Sequence, residues 1–139
     1  MVDPGRLRAL LDRLGEESGH LRRMAERPAA ELLADEDALA AAKYRFVVAI
    51  ETCIDAGEHV IASEGLEAPS SFAKVFRVLA ASGYLHTDIG AELERMARFR
   101  NLLVHGYQEV DDRRVVEILQ TRLGDFDVFR EQLAGRALE

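Results

Sequence analysis

The sequence predicts an all-α fold, a bundle of four or five helices, and three observations carry that prediction. Apolar residues recur at three- and four-residue steps along most of the chain, the period of one helix face. No segment alternates apolar and polar residues in the two-residue period of a strand. Only three prolines interrupt 139 residues, so long helices meet few positions that would break their hydrogen-bond ladder.

Leu7, Leu10, Leu11, Leu14, Leu21 and Met24 define a first amphipathic helix over about residues 5–26, with Pro28 just beyond as a stop. A second helix runs from about Asp35 to Ser63 on the stripe Leu39, Ala42, Phe46, Ile50, Cys53, Ile54, Gly57, Val60 and Ile61. It is long enough to be the spine of a bundle. Residues 64–69 read as a loop. Ser70 is the expected N-cap of a short helix carrying Phe72, Val75, Phe76 and Leu79, closed by Ser82-Gly83. Thr87 or Asp88 opens a fourth helix whose stripe is Leu93, Met96, Phe99, Leu103 and Val104. Gly106 is placed to end it in a left-handed conformation. The last segment starts at Asp111 or Asp112 and carries Val115, Ile118, Leu119, Leu123, Phe126, Phe129 and Leu133, with a bend expected at Gly124.

The chain is read as a single helical domain over residues 1–139, with 48% hydrophobic and 31% charged residues excluding a disordered coil. A net charge of −7 argues against indiscriminate coating of nucleic acid or membranes. A local basic patch still acts within a Debye length of roughly 8–10 Å, and Arg95, Arg98, Arg100, Arg113 and Arg114 supply one. Cys53 is the single cysteine and reads as a small core residue. With no apolar run of spanning length and no signal-peptide pattern, the expected location is cytoplasmic, without a membrane partner. No glycine-rich phosphate loop, paired-cysteine motif or zinc-protease motif occurs, so neither a metal site nor a cofactor is expected.

The chemistry concentrates in Arg100-Asn101-Leu102-Leu103-Val104-His105-Gly106-Tyr107, at the end of the fourth helix. Arg offers a fixed fork of donors that fits phosphate, and His exchanges protons near neutral pH. At about 100° per residue, Arg98, Asn101 and His105 fall on one stripe, while Arg100 lies about 140° from His105. Either the long Arg side chain curls around the helix, or two copies of the helix meet across a two-fold axis. The second arrangement also pairs two imidazoles. Metal-free RNA cleavage uses one base for the 2′-hydroxyl and one acid for the leaving 5′-oxygen, with a cation on the phosphate as charge develops.

Asp55 and His59 share one helix face. Asp55 is the candidate to orient Arg100 or His105 from the second helix, against a local surface pair with His59 as the plainer alternative. Arg98 is a candidate phosphate contact. Lys43 and Arg45 either line an RNA path or cover a solvated face, and Arg100 itself has a surface ion pair with Glu92 or Glu94 as its plainer reading.

The octet RNLLVHGY resembles the Arg-x4-His motif of the HEPN superfamily, and the Tyr two positions after His resembles its HepT branch. The similarity extends through AIETCIDAGEHVIASEGLEAPSSFAKVFRVLAASGYL and ELERMARFRNLLVHGY, over roughly residues 40–110. The first and last helices agree in pattern only. The resemblance implies a homodimeric, metal-independent endoribonuclease toxin of a type VII-like toxin–antitoxin pair, acting on RNA such as tRNA or mRNA at the dimer cleft. Its implied partner is a minimal nucleotidyltransferase antitoxin of the MntA type. Cleavage is then carried by Arg100 and His105, with Asn101 as the intervening polar residue. Tyr107 becomes the residue that the antitoxin modifies with AMP, which would put negative charge and bulk beside the cleft. The alternative function is a non-catalytic helical module that docks a nucleotidyltransferase or nucleotide.

Overall fold

In the computed structural model, which describes residues 1–106 and 109–138, capped helices follow one another from the N-terminus. Asp3 caps α1 (Pro4–Ala25) by accepting from the Arg6 amide, and Asp35 caps α3 (Glu36–Ser63) by accepting from the Ala38 amide at 3.0 Å. Each satisfies a backbone donor that the helix itself cannot. Between them lies α2 (Ala29–Leu33), a single turn that follows Pro28 and buries Leu32. The remaining helices are α4 (Phe72–Ala81), α5 (Thr87–His105), α6 (Asp112–Thr121) and α7 (Gly124–Ala137). No strand occurs among the described residues.

The expected four or five helices thus become seven among the described residues. The one-turn α2 carries too few residues to show a period. The last apolar segment divides at Arg122-Leu123, and α7 starts at Gly124, the position read as a bend. Two local expectations are corrected. Ser71 rather than Ser70 caps α4, accepting from the Lys74 amide at 3.3 Å. Gly106 has φ −120°, so it is not left-handed; the positive-φ glycines are Gly65 and Gly83, each in a loop just beyond a helix. What Gly106 supplies is space, since a Cβ there would lie 2.9 Å from Leu102 Cδ1.

The spine is α3, which packs against α1, α4 and α5. Phe46 meets Phe99 edge-on, ring centroids 5.4 Å apart, and this contact seats α5 on α3 beside Arg100. Gly57 lets α4 approach closely: a Cβ there would lie 2.6 Å from Val75 Cγ1. Phe76 and Phe129 join α4 to α7 in a second edge-on pair. Cys53 is fully buried, and loss of hydration pushes its thiol pKa well up, as for an inert core residue. No described helix is long and apolar enough to cross a membrane.

Candidate functional site

Arg100 is the best-held cation in the molecule's motif region. Its Nε and Nη2 both donate to Glu51 Oε1 of α3, at 3.1 and 2.6 Å, and its Nη1 donates to Asn101 Oδ1 at 3.0 Å. The guanidinium lies 5.5 Å from the ring centre of Phe72, the first residue of α4. Its side chain is only 14% exposed. Helix α3 therefore supplies the carboxylate, α4 an aromatic wall and α5 the cation itself.

His105 stands on the last turn of α5, exposed, about 7.5 Å further along the axis by helical rise. The same turn exposes two apolar side chains, Leu102 and Val104. Val104, expected in the buried stripe, is 38% exposed. Tyr107, the expected site of AMP modification, lies outside the described residues.

The carboxylate that meets Arg100 is Glu51, one turn earlier on α3 than Asp55, the residue expected there. Asp55 is exposed and makes none of the described hydrogen bonds to Arg100. Its carboxylate lies near Glu58, whose pKa is raised first by burial and then by that neighbouring charge. His59 does not pair with Asp55 either; its Nε2 accepts from the Asp3 amide at 3.2 Å, tying the N-terminus to α3. A signal for Glu51 was available in principle, since Glu51 and Asp55 lie four apart on one face of the same helix. Sequence alone could not say which turn stands level with Arg100.

The other cations divide into two kinds. Lys43 pairs with Asp112 at 2.8 Å and Arg45 with Glu17 at 3.1 Å, joining α3 to α6 and to α1. These are ties between helices rather than a free basic path. Arg98 is 61% exposed and donates to Glu94 at 3.2 Å, a carboxylate it shares with Arg77. Arg95, Arg98 and Arg114 border a cavity of about 430 Å³ between α5 and α6, with Phe99 and Leu102 also in its lining. Glu109 and Asp111 also line it, so the groove is mixed in charge with cations in excess. No group of His, Cys, Asp and Glu able to hold a metal ion occurs among the described residues.

The family model "Ribonuclease HepT-like" matches residues 14–133. The chain belongs to the HepT-like family. A curated relative of this HepT-like chain, the mRNA nuclease HepT of Shewanella oneidensis, is 34% identical over 79 residues. That match spans 57% of this chain and 59% of the relative's own length. Among solved structures, the tri-AMPylated Shewanella oneidensis HEPN toxin in complex with its MNT antitoxin superposes with a TM-score of 0.88 at 22% identity, covering 98% of this chain and all of that one. A cytosolic Bacillus subtilis protein of unknown function, YutE, superposes at 0.84 with 16% identity, over 96% of this chain and 90% of that one. At such identities the superpositions speak for the fold, which is the HEPN fold.

Proposed function

We propose that this HepT-like chain is a metal-independent endoribonuclease toxin whose Arg100 and His105 cleave RNA in the cleft of a homodimer. Membership of the HepT-like family, with the Arg-x4-His pair at the accessible end of α5, carries the reading. The relative's designation as an mRNA nuclease supports RNA as the substrate. Exposed Leu102 and Val104 on the motif turn supply an apolar contact for a second copy. Pairing there would bring two copies of His105 together. One imidazole then takes the 2′-hydroxyl proton as that oxygen attacks phosphorus, and the other protonates the departing 5′-oxygen. The products are a 2′,3′-cyclic phosphate and a 5′-hydroxyl. Arg100 meets the charge that builds on the phosphoryl oxygens, and the Arg95–Arg98–Arg114 groove carries the flanking strand.

The partner we propose is a minimal nucleotidyltransferase antitoxin of the MntA type that adds AMP to Tyr107. Support comes from the tri-AMPylated toxin–antitoxin complex sharing this fold and from the place of Tyr107 two residues after His105. The added phosphate would repel RNA from the motif.

The test is RNA cleavage by purified protein in EDTA, beside Arg100→Ala and His105→Ala. Loss of cleavage in both variants with unchanged helicity is expected. Activity equal to wild type in either one overturns the assignment. Mass spectrometry after co-expression with a candidate partner should show AMP on Tyr107 and none on Tyr107→Phe. A tight complex formed with no cleavage of any RNA would instead mark a non-catalytic docking module.

A further inference from the structure

We propose that Glu51 is a positioning residue with two effects on Arg100: it holds the guanidinium in its working orientation and masks its charge until a phosphate arrives. The inference rests on the catalytic reading of Arg100 given above. It starts from a donor count. A guanidinium has five N–H groups, and three are committed within the chain, two to Glu51 Oε1 and one to Asn101 Oδ1. Two have no partner among the described residues, one on each terminal nitrogen. The Phe72 ring lies beside the group, its centre 5.5 Å from the guanidinium carbon. The Arg100 side chain has therefore little freedom to rotate, and its uncommitted donors are those on the edge away from the Nε side that grips Glu51.

Orientation and masking have separate chemical origins. A carbonyl-type oxygen accepting from Nε and Nη2 is enough to fix the plane of the guanidinium. Only a carboxylate also cancels its charge. Glu51 is 43% exposed on its side chain, so solvent reaches the pair from the carboxylate side. A phosphate arriving at the two free donors meets a cation already aimed, at the cost of a nearby like charge on Glu51. Preorganisation raises the rate of the chemical step, because little is left to reorganise at the transition state. Masking weakens ground-state attraction for RNA and hence raises KM.

Two variants separate these effects. Glu51→Gln keeps the accepting oxygen and removes the charge. It should retain kcat, lower KM, and steepen the log–log salt dependence of KM by about 0.7, the slope of one further single-strand phosphate contact. Glu51→Ala removes both and should lower kcat on the order of 10²-fold, the loss expected when a reacting group is misplaced by about 1 Å. Steady-state cleavage of a short RNA across a salt series, with circular dichroism as a control for folding, reads both. Full kcat and KM in Glu51→Ala, with Arg100→Ala inactive, overturns the inference and leaves the catalytic reading standing. Wild-type rates in Arg100→Ala overturn that reading itself. Should Glu51→Ala not fold, Glu51→Gln decides alone: collapsed kcat or an unchanged salt slope overturns the proposal.

Discussion

Arg98 and Arg100 stand two residues apart on α5 and live in different electrostatic worlds. Arg98 is 61% exposed and shares a surface carboxylate, Glu94, with Arg77. Arg100 is 14% exposed, bound twice by Glu51 and walled by Phe72. Two residues turn an α-helix by about 200°, so one side chain leaves for solvent and the other enters the seam between α3 and α4. An exposed ion pair of the first kind contributes roughly 0–1 kcal/mol and fades with salt. The second holds a cation in a single orientation. The contrast shows that what distinguishes two arginines is the helix face each occupies rather than the density of charge around it.

The largest expected effect breaks the comparison most directly. Arg100→Ala should lower RNA cleavage by about 10²–10³-fold, the loss seen when a donor to developing transition-state charge is removed. Arg98→Ala should leave kcat in place, raise KM, and flatten its salt slope by about 0.7. Initial rates on one RNA at several salt concentrations measure both, and equal losses in the two variants would erase the distinction.

A second expectation sharpens the role of the seam. Gly57→Ala puts a methyl against Val75 and Leu79, and overpacking of this kind costs about 1–3 kcal/mol. Urea unfolding should show that loss. Because α4 also carries Phe72, cleavage should drop more than Arg98→Ala makes it drop. Unchanged stability would mean that α4 gives way without consequence.

The smallest effect concerns the start of α3, the helix that presents Glu51. The Asp35 carboxyl is held below its ordinary value of 3.8 first by the Ala38 amide and then by Arg27. A carboxylate depressed on folding stabilises the protein above its unfolded pKa and loses that contribution as pH falls through its lower folded value. Asp35→Ala should therefore lower the urea midpoint modestly at pH 7, with the gap from wild type closing below about pH 3.8. A gap that stays constant down to pH 2 would show that charge has no part in the cap.

Much of this was legible beforehand, for reasons that can be located. The apolar stripes of α1, α3 and α5 read correctly because each buries one face over several turns, and residues such as Leu14, Phe46, Ile50 and Leu93 are fully buried. The single turn α2 escaped notice, since five residues are too few to show a period. Gly106 has the position of a left-handed cap, yet its backbone stays at φ −120°, a difference of backbone conformation that position in the sequence does not reveal. From the sequence, Asp55 is the expected partner of Arg100. The correct partner is its neighbour on the same face, Glu51, and the choice depends on how far α5 slides along α3.

By itself, then, the sequence determined the helical class, the amphipathic faces and the placing of Arg100 and His105 near one helix end, because those follow from periodicity and local capping. Only the tertiary structure decided which carboxylate grips Arg100, which arginine is left to solvent, and that Leu102 and Val104 face outward. Those outcomes are set by the register and close approach of helices far apart in the chain. Packing such as Phe46 on Phe99 and Val75 against Gly57 fixes that register.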